Sequence, residues 1–88
     1  MVVVRFVRYR NRTEILSQIL ETANGGGATK TKIMYKAYLR YDKLQEYLTV
    51  LTESDLLHYD NESHTFKTTE HGLSFIEAYN QIDKLMNS

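Results

Sequence analysis

The sequence predicts an α+β fold, and three patterns predict it. Residues 29–51 divide into two short apolar stripes of helical period joined by a tight turn. Residues 56–59 and 65–67 read as strands around the turn-forming cluster Asp60-Asn61-Glu62-Ser63, a β-hairpin with a loop of several residues. One helical stripe precedes these elements and another follows them almost to the C-terminus.

The stretch 29–51 organises the rest. In its first helix Ile33, Met34, Ala37 and Tyr38 fall at i, i+1, i+4 and i+5, a single apolar stripe; in its second, Leu44, Tyr47, Leu48 and Leu51 form another. Helices this short do not stand alone in water, so each must pack on its neighbour and on a third element. A short helix, a tight turn and a longer helix make a helix-turn-helix, whose second helix can lie in a DNA major groove.

The other elements follow in order. Residues 2–9, rich in valine and aromatics, have strand composition, with Val2, Val4 and Phe6 on one face and Val3, Arg5, Val7 and Tyr9 on the other. Arg5, Arg8, Arg10 and Arg12 form a basic strip, which could hold phosphates as an arm; the favoured reading is an edge strand guarded by charge. Asn11 followed by Glu14 reads as a capping box opening a helix with the stripe Ile15, Leu16, Ile19, Leu20 and Ala23, closed by Asn24 and Gly25. Gly25–Gly27 lacks a following Gly-Lys-Ser/Thr and comes after a helix, so it reads as a flexible connector rather than a phosphate cradle. Thr29 or Thr31 caps the next helix, which ends near Tyr38, and the helix after it runs from Tyr41 or Asp42 to Glu53. Thr69 caps the last helix, whose stripe is Leu73, Ile76, Tyr79, Ile82 and then Leu85 or Met86. Three helices, a hairpin and a further helix are the order of a winged-helix domain with an appended helix. The expected division is an N-terminal strand extension at 1–10, a winged helix-turn-helix at 11–69 and a C-terminal helix at 70–88.

Eighty-eight residues make one domain with a modest core. The absence of cysteine excludes disulfides and thiolate metal sites, and no apolar run is long enough to span a membrane. The opening MVVVRFVRYR is interrupted by arginine and lacks a small-residue cleavage site, so the expectation is a soluble cytoplasmic protein with no membrane partner. Formal net charge is zero but uneven: residues 1–43 carry nine basic against three acidic side chains, a balance of +6, and residues 44–88 two against eight, a balance of −6. Such asymmetry fits a polyanion-binding face or self-complementarity between the halves or between copies.

Little else points to chemistry. His58, His64 and His71 are the only histidines; His58 and His64 could face each other across the hairpin, but without a third ligand they read as exposed polar residues. No nucleophile motif, phosphate loop or HExxH pattern occurs, so no enzyme, cofactor, metal or small-molecule substrate is expected. Of the seven tyrosines, Tyr35, Tyr38, Tyr47 and Tyr79 sit at or beside helical stripes and are expected to pack in the core, leaving Tyr41 and Tyr59 as candidates for exposure.

The run Thr-Lys-Ile-Met-Tyr-Lys-Ala at 31–37, then Leu39, then Leu44-x-x-Tyr47-Leu48-x-x-Leu51, then Leu56-Leu57, Phe66 and Thr69-x-x-Gly72-x-x-Phe75-Ile76-x-x-Tyr79, resembles the small archaeal winged-helix DNA-binding proteins and transcription regulators whose signature opens with "TKIMY". The resemblance covers roughly residues 12–83. It implies DNA binding through the helix beginning near Tyr41 and dimerisation through the C-terminal helix, which pairs as an antiparallel coiled coil in a relative. Arg40 stands where that family has a capping serine, so Asp42 is expected to take over the cap, and Asp55 stands where a glycine ends the helix.

The resulting site has three parts. Lys30, Lys32, Lys36 and Arg40 are expected to hold phosphates, with the N-terminus of the first helix of the pair. Tyr41, Lys43, Gln45, Glu46 and Thr49 lie where base edges would be probed: Lys43 can donate to guanine, Gln45 can pair with adenine and a carboxylate can accept from cytosine. Tyr79, Ile82, Leu85 and Met86 are the expected dimer interface. Asp60 and Glu62 flank the hairpin tip and oppose phosphate there. The expected function is double-stranded DNA binding as a homodimeric transcription regulator; the alternative is a winged helix repurposed for protein–protein contact.

Overall fold

The computed structural model describes residues 10–87, as α1 (Arg12–Ala23), α2 (Lys30–Ala37), α3 (Tyr41–Glu53), β1 (Leu57–Asp60), β2 (Thr65–Thr68) and α4 (Glu70–Asn87). The expected strand at 2–9 lies outside the described residues. The element order is the expected α+β one of a winged helix.

Local chemistry sets most of the boundaries. The Asn11 side chain accepts the Glu14 backbone N–H at 2.7 Å, and Thr29 Oγ1 accepts that of Lys32 at 3.2 Å, so each closes an orphan donor at its helix start. Thr69 does two jobs: Oγ1 accepts from Gly72 N at 3.0 Å and donates to the Asp55 carbonyl at 2.7 Å, tying the start of α4 to the end of α3. Asp55 has φ +62, the left-handed conformation for which glycine is the usual choice and which Asp tolerates better than most residues.

The α3 start departs from expectation. Arg40 occupies the N-cap with extended backbone and no side-chain cap hydrogen bond, and Asp42 lies in the first turn rather than at the cap. The helix start is therefore not shifted. The Arg40 carbonyl still accepts from Leu44 N at 2.9 Å, which begins the helix without a side-chain cap.

The core is one cluster. Ile19, Leu20 and Ala23 of α1 meet Ile33 and Ala37 of α2, Leu44, Leu48 and Leu51 of α3, Leu57 and Phe66 of the hairpin and Ile76 of α4. α1 is central, packing on α2, α4 and β2, while α3 packs on β1. Thr68 Oγ1 donates to the Leu20 carbonyl at 2.6 Å, fastening the wing to the last turns of α1.

The hairpin pairs antiparallel with Leu57 opposite Thr68 and Asp60 opposite Thr65. The glycine run does more than connect. Gly27 takes φ +89 and passes so close to β2 that a Cβ would sit 3.0 Å from Lys67 Cγ and 3.2 Å from the Phe66 carbonyl oxygen. That approach lets Ala28 bridge Phe66, with N···O distances of 2.9 and 2.8 Å, so the residue before the α2 cap is pinned to the wing by a single antiparallel bridge.

Candidate nucleic-acid interface

The helix-turn-helix brings the expected site residues to α2, its turn and the outer side of α3. Ile33 and Ala37 bury the inner side of α2, which leaves Thr31, Lys32, Tyr35 and Lys36 exposed. Lys32 and Lys36 have no ion-pair partner among the described residues and border a shallow groove with Gln18, Glu21 and Thr22 of α1. Lys30 is half-buried, its Nζ lying 5.4 Å from the centroid of the Tyr41 ring. This cation–π contact joins the first residue of α2 to the first residue of α3.

On α3 the leucines face inward and the opposite side carries Asp42, Gln45, Glu46, Thr49 and Glu53, all exposed, with Lys43 beside them. Two of the expected DNA-binding cations there already have partners: Arg40 Nε lies 3.5 Å from Asp42 Oδ1, and Lys43 Nζ lies 3.6 Å from Glu46 Oε1. All four side chains are well exposed, so these pairs add little stability and can exchange partners.

The wing is self-contained. Asp60 Oδ1 accepts from Glu62 N at 3.0 Å and Oδ2 lies 3.3 Å from Lys67 Nζ. The Glu62 N–H and then the Lys67 ammonium hold the Asp60 carboxyl below the usual carboxylate range. His64, in the left-handed conformation, places Nδ1 3.2 Å from the Tyr59 hydroxyl, while His58 sits opposite Lys67. The two histidines are not brought together as a pair of ligands, and among the described residues no group of three potential metal ligands occurs.

Three placements differ from the sequence reading. Tyr35 and Tyr38, expected in the core, are 73% and 84% exposed. Tyr38 leaves the α2 stripe because it is the helix C-cap, at φ +54, where helical periodicity no longer aims its side chain. Arg10, assigned to a basic strip, instead turns onto the helix-turn-helix. Its guanidinium donates through Nη1 to Gln18 Oε1 at 2.6 Å and to the Ala37 carbonyl, and through Nη2 to the Tyr38 carbonyl at 3.2 Å. Arg12 lies over the Tyr47 ring, 5.8 Å from its centroid.

Along α4 the proximal turns bury Ile76 and half-bury Phe75 and Tyr79, whereas Ile82, Leu85 and Met86 are 59%, 79% and 78% exposed. Among the described residues no helix is long and apolar enough to cross a membrane.

Comparison with known proteins follows the same lines. No curated protein matches the sequence. The fold is similar to the crystal structure of Sso10a-2, a DNA-binding protein from Sulfolobus solfataricus, with a TM-score of 0.77 over 88% of this chain and 82% of that one, at 24% identity. The winged helix-turn-helix family matches residues 9–87, nearly the whole chain, and this chain belongs to that family.

Proposed function

We propose that this chain binds double-stranded DNA through its helix-turn-helix, as a homodimer, and regulates transcription. The observation that carries the reading is the outer side of α2: Lys32 and Lys36 stand exposed without an ion-pair partner among the described residues, beside Lys30 and next to the turn into α3. In this reading Lys30, Lys32, Lys36 and Arg40 hold phosphates, and Tyr41, Lys43, Gln45, Glu46 and Thr49 face base edges. The family and the fold shared with a DNA-binding protein support it.

The homodimer is part of the same proposal. Ile82, Leu85 and Met86 place large apolar side chains on the exposed end of α4, and a two-fold partner would cover them, together with Tyr79, while presenting two reading helices to one duplex. Truncation after Tyr79 is expected to give a folded monomer with much weaker DNA binding, checked by sedimentation and mobility shift; a full-length chain that sediments as a monomer at micromolar concentration removes the dimer.

The test of DNA binding is a salt titration on a mixed-sequence duplex. Four neutralised phosphates give a slope of log affinity on log salt near −3.6, at ~0.9 per phosphate. The second reading, a protein-contact module, draws on the ion pairing of Arg40, Lys43 and Lys67 with Asp42, Glu46 and Asp60 and on the zero net charge. Absence of duplex binding even at low salt selects it.

A further inference from the structure

Arg10 is a long-range tie with no part in the phosphate or base-edge set. It reaches from the segment before α1 across to the end of α2, where its guanidinium takes the Ala37 and Tyr38 carbonyls, and Gln18 of α1 takes another of its N–H groups. Those carbonyls belong to the last turn of α2, where orphan acceptors collect and a positive charge is favoured by the helix dipole. The same turn is already closed from inside: the Tyr38 N–H reaches the Met34 and Tyr35 carbonyls, and Leu39 N reaches the Met34 carbonyl at 3.2 Å. The left-handed Tyr38 is thus held by backbone bonds on its N–H side and by the Arg10 fork on its carbonyl side. Only Leu39 and Arg40 separate it from α3.

We propose that Arg10 is a positioning residue for DNA reading: by clamping the α2–α3 turn onto α1 it sets the orientation of α3 and touches no DNA. The inference rests on the DNA-binding reading above. A planar fork with donors at fixed angles suits two adjacent carbonyls and an amide oxygen, and a lysine ammonium cannot reproduce that geometry. The clamp also fixes the angle of the reading helix without consuming a cation of α2. A base-edge contact depends on that angle, because misplacing a side chain by an ångström breaks a bidentate pair, while phosphate contacts through long lysine stems tolerate such a shift.

The test compares wild type, Arg10→Gln, Arg10→Lys and Gln18→Leu on two duplexes, one from binding-site selection and one of mixed sequence. Arg10→Gln is expected to lower the ratio of selected to mixed affinity by about tenfold, a change of ~1.4 kcal/mol. The salt slope stays where it was, and amide exchange at Tyr38 and Leu39 quickens. Arg10→Lys keeps the charge and is expected to show the same loss of discrimination. Gln18→Leu keeps Arg10 itself and removes the amide that aims it, so it is expected to shift the ratio in the same direction by less; it serves as the measurement if Arg10→Gln does not fold. A slope flattened by ~0.9 makes Arg10 a phosphate contact and overturns the positioning role. An unchanged ratio with faster exchange overturns it too, leaving a purely structural tie. A wild-type chain that binds neither duplex overturns the DNA reading itself, and the positioning role with it.

Discussion

The two helices of the helix-turn-helix differ in charge: α2 carries three lysines and no acid, whereas α3 carries Lys43 against Asp42, Glu46 and Glu53. On α2, Lys32 and Lys36 point outward with no acid of their own helix nearby, since α2 contains no acidic residue. On α3, the sequence sets Asp42 next to Lys43 and Glu46 three residues after it, and the structure pairs Lys43 with Glu46 and Arg40 with Asp42. A helix with three lysines and no acid of its own offers generic attraction to a polyanion. A helix whose one lysine, Lys43, is outnumbered by Asp42, Glu46 and Glu53 offers no net attraction but keeps a set of directional donors and acceptors, Gln45 and Thr49 among them. The proposed division is therefore affinity from α2 and discrimination from α3.

The largest effect comes from breaking the support that both share. Leu44 is fully buried and lies between Lys43 and Gln45 on α3. Leu44→Ala is expected to cost ~2–5 kcal/mol in urea unfolding, through lost transfer energy and the cavity left behind. A cost well below that range means that α3 is not held in place by the core, and the contrast between the helices loses its structural basis.

Next is the reading side. Gln45→Ala is expected to remove ~1–3 kcal/mol of base discrimination while leaving mixed-sequence affinity nearly unchanged. Identical preferences in a binding-site selection count against α3 as the reader. The affinity side follows: Lys36→Gln is expected to weaken binding to all sequences alike and to flatten the salt slope by ~0.9. A loss confined to the selected sequence reverses the assignment of the two helices.

The smallest effect is at the wing. Asp60 has its carboxyl held below the usual range by the Glu62 N–H and Lys67. Because the folded value is depressed, its contribution is fully present above the unfolded value of about 3.9 and is lost as pH falls through the folded value. Acidification below about pH 4 is expected to loosen the turn between β1 and β2 before the core, followed by NMR at Glu62 and Lys67. An Asp60 that titrates at the ordinary value removes this local tie.

What the sequence makes legible, and what it does not, divides along sequence distance. The caps at Asn11 and Thr69 are legible because donor and acceptor lie three residues apart, while the sequence leaves Thr29 and Thr31 both open for α2 and the structure selects Thr29. The stripes Ile33–Ala37 and Leu44–Leu48–Leu51 were legible because helical period reports burial while the chain stays helical. Tyr38 departs from it at the residue where that condition ends, and Tyr35 because it sits beside the Ile33–Ala37 stripe, on the outer side of α2 with Lys32 and Lys36. Asp42 suits the cap of α3 by its side chain, whereas the backbone bond from Leu44 to Arg40 starts the helix two residues earlier without it. The DNA-facing assignments follow the outer sides of α2 and α3, and the sequence could place those residues there without showing which cations were already paired.

By itself, then, the sequence determined the order of elements, their caps, the apolar side of each helix and the uneven charge, all of which are properties of neighbours along the chain. Tertiary structure decided the rest: the fork of Arg10 on carbonyls 27 and 28 residues away, the Thr68 bond to Leu20 across 48 residues, and the bridge of Ala28 to Phe66. It also decided the need for glycine at 72, where a Cβ would collide with the Leu56 carbonyl oxygen. Each of these depends on how packed helices bring distant backbone groups within hydrogen-bond or van der Waals distance, and no periodicity in the sequence encodes such a meeting.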